Sequence, residues 1–164
     1  MGFGRLVLRL VVGVLMIGHG LQKLAGLFGG HGLQGTGEFF DSLGLRPGRQ
    51  AAMAAGAAEV GGGALLTLGL ATPLAAASLG AVVLTGGRTV HAQHGLWATE
   101  GGYEYNVVLL ASLFELAYSG PGLMSLDGRL ISERKGLLWA TLASAAAVGG
   151  SIAVEQRAEA SSSQ

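Results

Sequence analysis

"FGRLVLRLVVGVLMIGHGLQKLAGLF", from Phe3 to Phe28, is an apolar run broken by charge. At about 1.5 Å per helical residue it is long enough to cross a hydrocarbon core about 30 Å thick. Yet it carries Arg5, Arg9, His19 and Lys23. With successive residues about 100° apart, Arg5, Arg9, Met16, His19 and Lys23 fall within an arc of about 80°. Gly13 and Gly20 flank this basic stripe and would let a neighbouring helix approach, while Leu, Val and Ile occupy the opposite face. Charges inside a bilayer are costly and normally turn towards partners in the bundle interior. The stretch is therefore a membrane helix with a polar inner face.

Composition extends this reading to the whole chain. Its 164 residues are one domain's worth, half of them hydrophobic. Only 12% are charged, against about 25% in soluble domains, and mean hydropathy is +0.52. The thirty glycines fall within apolar segments, where small residues serve close helix packing. A net charge of zero leaves no footprint for nucleic acid. The lack of cysteine excludes thiol redox chemistry, cysteine-ligated iron–sulfur clusters and covalent c-type haem within this chain. The first apolar run is too long for a signal peptide and lacks a small-x-small cleavage site.

Four further apolar segments follow. Gln50–Leu70 is Ala/Gly-rich and begins after Pro47. Thr72 reads as the N-cap of a third helix, Pro73–Val90, with Pro73 at its first position. The link between these two is short enough to require an antiparallel hairpin. Tyr103–Tyr118 ends at "SGPG", and Gly136–Val154 is followed by the polar "EQRAEASSSQ", a composition expected to be disordered. In "LQGTGEFFDSLGLRPG", between the first two helices, Thr36 can cap a short helix with Phe39, Phe40 and Leu43 on one side. Such a piece would lie in the membrane interface; the alternative is a loop anchored by its aromatics. The expected fold is an all-α polytopic membrane bundle, with four core transmembrane helices in residues 1–130. A fifth helix over 131–154 and a tail over 155–164 complete it.

Basic residues divide evenly between the two sides. Arg5, Arg9, Arg129, Arg134 and Lys135 oppose Lys23, Arg46, Arg49, Arg88 and Arg157. The dense cluster in "DGRLISERK" tips the expectation towards a cytoplasmic N-terminus.

The basic stripe calls for acidic partners. Glu59 lies mid-helix in "AAEVGGG", Glu104 opens the fourth helix, and Glu115 returns to nearly the same face. Arg88, His91 and His94 close the third helix, with Arg88 and His91 on one side. Such pairs can simply fix helix register without any ligand. About seven ionisable groups on four helices in so small a chain favour a functional interior instead.

These pieces together resemble the DoxX family of small membrane proteins. The matching segments are the Arg9 helix leading to "HGLQKLAG" (His19–Gly26), then "AAEVGGGALLTLGLAT" (Ala57–Thr72) and "HAQHGLW" (His91–Trp97). "GGYEYNVVLL" (Gly101–Leu110) and "GPGLMSLDGRL" (Gly120–Leu130) continue the match, which spans about residues 5–130. The resemblance implies a bundle of four transmembrane helices in the cell membrane and a role as a membrane subunit of a redox system. In some members that system is quinone-linked thiosulfate oxidation. In others it is a defence against oxidative stress involving a superoxide dismutase and a thiol-handling protein. It singles out His19, Lys23, Glu59, His91, Glu104 and Asn106, to which the buried-face reading adds Arg9. The fifth apolar segment and Glu115 fall outside the resemblance.

Three functions suit this pattern. In the first, the chain is a membrane subunit that holds a quinone, with His19 and Lys23 as donors and Glu59 or His91 relaying protons. A soluble or membrane redox partner must then supply electrons, since no electron carrier is visible in the chain. In the second, the polar interior is the path of a small proton- or solute-linked carrier, with Gly61–Gly63 breaking a helix. In the third, small-residue stripes and ion pairs serve only as a scaffold or in a homo-oligomer. Haem ligation by His19 and His91 is disfavoured by their different depths. A metal site at His91 and His94 lacks a third ligand set by spacing.

Overall fold

The computed structural model describes residues 2–122, 124–127 and 136–162. Its secondary structure is helical throughout: α1 (Gly2–Ala25), α2 (Gly32–Ser42), α3 (Gly48–Leu68), α4 (Thr72–Gly86), α5 (Glu104–Ser119) and α6 (Gly136–Ser162). The axis of α4 continues as one π turn, Gly87–His91, and a short 3-10 turn to His94. Four helices among the described residues are long and apolar enough to cross a membrane: Gly2–Ala25, Gly48–Leu68, Thr72–His94 and Gly136–Ala160. The appended C-terminal helix is one of them. The 16 residues of α5 give a shorter rod of about 24 Å.

The face of α1 follows the sequence. Arg9, Val12, Gly13, Met16 and Gly20 are buried, while Val7, Val11, Val14 and Leu15 are exposed to the lipid side. Its partner is α3, and glycine makes the contact. A Cβ added at Gly13 would lie 2.8 Å from the Gly63 carbonyl oxygen, and one at Gly20 would lie 2.6 Å from that of Gly56. The helix axes can approach this closely because both faces lack side chains. α3 runs unbroken through Gly61–Gly63. The helix break that the carrier reading supposed there is not present, and Gly62 and Gly63 are packing positions against Leu79 and Gly13.

The hairpin between α3 and α4 is closed by backbone geometry. Gly69 adopts a left-handed φ of 65° as the C-cap of α3, a conformation that costs glycine little. Ala71 repeats it at φ 47°, and the Asp127 carboxylate accepts a hydrogen bond from its amide. Leu126 and Asp127 also donate to the carbonyls of Leu68 and Gly69. Ala71 thus takes the N-cap position expected for Thr72, which is the first helical residue and is fully buried.

α4 packs on α6 along Gly80, Ala81, Ala147 and Gly150, and a Thr85–Ser151 hydrogen bond extends the seam. An Arg88–Glu155 ion pair at 2.7 Å closes it. α6 therefore continues past Val154 to Ser162, through residues expected to form a disordered tail. Ala147, Ser151 and Glu155 are spaced as one face of a helix, so the polar residues prolong an existing stripe. α2 forms as a helix, yet Thr36 lies buried inside it and His31 occupies the N-cap. The basic segment holding Arg129, Arg134 and Lys135 lies outside the described residues.

Candidate functional site

Two helical halves result. In one, α1 and α2 pack on α3; in the other, α4 and α5 pack on α6. A buried apolar core containing Val12, Met16, Leu66, Leu79 and Leu116 joins them. Away from the hairpin the halves part, and a cavity of about 800 Å³ lies between them.

Of the residues expected at a site, His19, Lys23, Glu59, His91 and Asn106 line this cavity. Glu59 is 4% exposed and meets Lys23 across the α1–α3 interface. The ammonium is 2.8 Å from each carboxylate oxygen. It forms a hydrogen bond with Oε1; the approach to Oε2 is ionic, without hydrogen-bond alignment. The Lys23 charge on α1 is therefore balanced by Glu59 on α3.

The histidines have neutral partners, not the acidic ones expected. Gln22 Nε2 donates to the Phe28 carbonyl at 3.2 Å, which turns Gln22 Oε1 towards His19 Nδ1, also at 3.2 Å. His91 Nδ1 lies 2.7 Å from the Gly101 carbonyl, an acceptor only, so Nδ1 donates. The π turn at Gly87–His91 shifts the helical register just where His91 must turn inward, a frequent use of such turns at functional sites. Asn106 braces that turn by donating from Nδ2 to the Val83 carbonyl at 2.9 Å.

Arg9 and Glu104 lie apart from the cavity. Arg9 shares the α1 stripe but is fourteen residues from Lys23, or about 21 Å along the axis. It is 2% exposed, and its guanidinium donates to the carbonyls of Pro121 and Met124, while Arg5 donates to that of Ser119. These carbonyls substitute for the acidic partner that a buried arginine suggests. Glu104 accepts from the Ala98 amide at 2.9 Å and so ties the loop before α5. Glu115 accepts from Ser119 on its own helix. Among the described residues no group of three His, Cys, Asp or Glu side chains is disposed to hold a metal.

The other walls were silent in the sequence. Phe39, Phe40 and Leu45 close one side, and Ala51, Ala54, Ala55 and Ala58 form the α3 wall. Thr85, Thr89, Tyr105, Gly150 and Val154 complete the opposite side. Alanine carries no sign of whether it lines a space or packs. The aromatic pair in α2 was legible as apolar, but not as part of a cavity.

The DoxX family pattern matches residues 4–92, just over half of the chain. The chain belongs to the DoxX family. The match covers α1 to His91, so this DoxX chain builds one cavity wall and the α4 part of the other from family-matched sequence. Asn106, Gly150 and Val154 on the other wall lie beyond it. "Putative oxidoreductase CatD" of Bacillus subtilis (strain 168) is 31% identical over 132 residues, 80% of this chain and 90% of the relative. "Uncharacterized membrane protein Rv3486" of Mycobacterium tuberculosis (strain ATCC 25618 / H37Rv) is 33% identical over 133 residues, 75% of this chain and 78% of the relative. No solved structure gives a significant match. The chain is a multi-pass membrane protein of this family.

Proposed function

We propose that this DoxX protein is the membrane subunit of a redox system and holds a quinone head in the cavity between its halves. The observation that carries the reading is the cavity itself. Its volume of about 800 Å³ is within the range of small-molecule sites, roughly 300–1,000 Å³. Its walls are mainly apolar, with a neutralised Lys23–Glu59 pair and the His19, His91 and Asn106 side chains facing it. A ring with polar edges and a long apolar tail matches such a surface, and the bilayer supplies that molecule. The name of the Bacillus relative, an oxidoreductase, points the same way.

Within this reading, His91 and Glu59 accept or return protons at the ligand's oxygens, and Lys23 holds the Glu59 carboxylate in place. Electrons enter from a partner protein, since cysteine ligands for a cluster are lacking. The basic residues near Arg5 and in the 129–135 segment favour a cytoplasmic N-terminus in the cell membrane. The carrier reading drew on the polar interior and on a helix break at Gly61–Gly63, and the unbroken α3 takes away the second of these.

A photoreactive short-chain quinone tests the proposal. It should label peptides from α3 and α4, be displaced by an unreactive analogue, and fail to label the Glu59→Gln variant retained in the membrane. Labelling that no analogue displaces, or that ignores Glu59→Gln, would remove the cavity as the quinone site.

A further inference from the structure

The two ends of the cavity differ in what lies beyond them. α1 meets α3 at Gly20–Gly56 and again at Gly13–Gly63, so Glu59 lies between these two levels. On its N-terminal side come Val12, Leu66, Leu79 and Leu116, each at most 4% exposed. They pack into one core with Met16, the floor of the cavity. Thr67, at the same level, bonds to the Gly63 carbonyl of its own helix. An apolar layer packed to this density has no room for water.

Towards the other face the lining turns polar. Glu59 is eleven residues from Gly48, where α3 begins, or about 17 Å along the axis. Over that distance the walls present Lys23, then Thr85 and Thr89, and lastly His91 in the π turn. The two threonines are four apart and share a helix face. Their hydroxyls donate to the Ala81 and Thr85 carbonyls and keep lone pairs for water. The titratable groups lining the space with Glu59 are Lys23 and His19 from α1, His91 beyond α4 and Tyr105 from α5. α2 contributes Phe39 and Phe40, and α6 contributes Gly150 and Val154. A cavity of about 800 Å³ with such groups along it has both the room and the partners that ordered water needs.

We infer that the cavity is a one-sided proton inlet, joining Glu59 to the aqueous face opposite the N-terminus and not to the N-terminal face. Ionisable residues within membrane helices commonly mark such relays. Any proton that a ligand takes up or returns at Glu59 is exchanged with that face. With the N-terminus cytoplasmic, it is the outer face of the cell membrane. The inlet belongs to the cavity whatever it holds, so it stands apart from the quinone reading.

The test asks which aqueous phase sets the proton activity beside Glu59. The chain has no cysteine, so an Ala58→Cys thiol in the cavity wall reports alone. A thiol reacts as its thiolate, so below its pKa its rate with N-ethylmaleimide changes about tenfold per pH unit. That reagent crosses membranes, which allows the pH on each face to be varied separately in right-side-out and inverted vesicles. Gln93→Cys and Leu126→Cys mark the two faces, and a charged, impermeant thiol reagent identifies which of them is outward. The rate at Ala58→Cys should follow the pH on the Gln93 face, about tenfold per unit, and ignore the pH on the Leu126 face. Ala55→Cys, one turn nearer the mouth, should behave alike and serves if Ala58→Cys is not retained in the membrane. A rate that followed the Leu126 face, both faces or neither would overturn the inlet. Displacement of the photoreactive quinone decides the ligand independently of these outcomes.

Discussion

At the residue scale, the paired charge of Lys23 and Glu59 governs both stability and chemistry. Glu59 is almost fully buried, and Lys23 keeps 22% of its side chain exposed. Removing the exposed partner leaves a buried carboxylate unmatched, whereas replacing both leaves no charge to solvate. Lys23→Met should therefore destabilise the protein by about 1–3 kcal/mol, the cost of an orphaned buried polar group. The double variant Lys23→Met/Glu59→Leu should regain most of that loss. Thermal unfolding in detergent measures both, and labelling by the photoreactive quinone separates structure from function. The double variant should be stable yet unlabelled. Restored stability with full labelling would show that the pair only fixes how α1 and α3 meet. The residues of this centre were legible because ionisable groups inside apolar helices stand out. Arg9 was equally conspicuous, but which end of a long helix a partner occupies is a tertiary fact that the stripe does not encode.

At the element scale, the contact of α1 with α3 rests on what their facing surfaces lack. A Cβ at Gly63 would lie 2.6 Å from the Gly13 carbonyl oxygen, while at Gly61, two positions earlier, no atom lies within 4 Å. The same substitution should thus act in opposite directions. Gly63→Ala forces the two backbones apart, and overpacking of this kind costs about 1–3 kcal/mol. Gly61→Ala meets nothing and should gain about 0.5–1 kcal/mol from the helix preference of alanine. Midpoints of thermal or denaturant unfolding in one detergent would show the contrast. If both variants shifted alike, the α1–α3 contact would not depend on glycine at this site. The sequence indicated that Gly13 and Gly20 admit a neighbour, but within "VGGG" nothing distinguishes the contacting glycine from the open one until the helix phase is known. The end of α6 was hidden differently. Its polar residues were read by composition, while the Ala147–Ser151–Glu155 spacing that carries the helix onward is a periodic signal completed only by Thr85 and Arg88 on α4.

At the scale of the whole molecule, the two halves are tied at one end. Among the described residues, the polar bonds that cross between them gather around the α3–α4 hairpin. Arg5 and Arg9 reach carbonyls of the 119–124 segment, and Leu126 and Asp127 bond to the hairpin backbone. At the other end, the Lys23–Glu59 pair lies within one half, and the Arg88–Glu155 and Asn106–Val83 bonds within the other. Apolar burial and polar bonds thus join the halves where the cavity ends, and the cavity occupies the end that lacks such ties. Access to it should accordingly depend on the separation of Ala54 on α3 and Val154 on α6, which line opposite walls. The chain contains no cysteine, so a pair introduced at these positions is unique. A bifunctional maleimide joining Ala54→Cys to Val154→Cys should abolish labelling by the photoreactive quinone, and the same two variants modified singly should retain part of it. A cross-linked pair at the hairpin end, Leu70→Cys with Leu126→Cys, should leave labelling unchanged because that end is already fixed. Full labelling of the Ala54–Val154 cross-linked protein would mean that the ligand enters elsewhere, and the cleft between the halves would then be a product of packing alone.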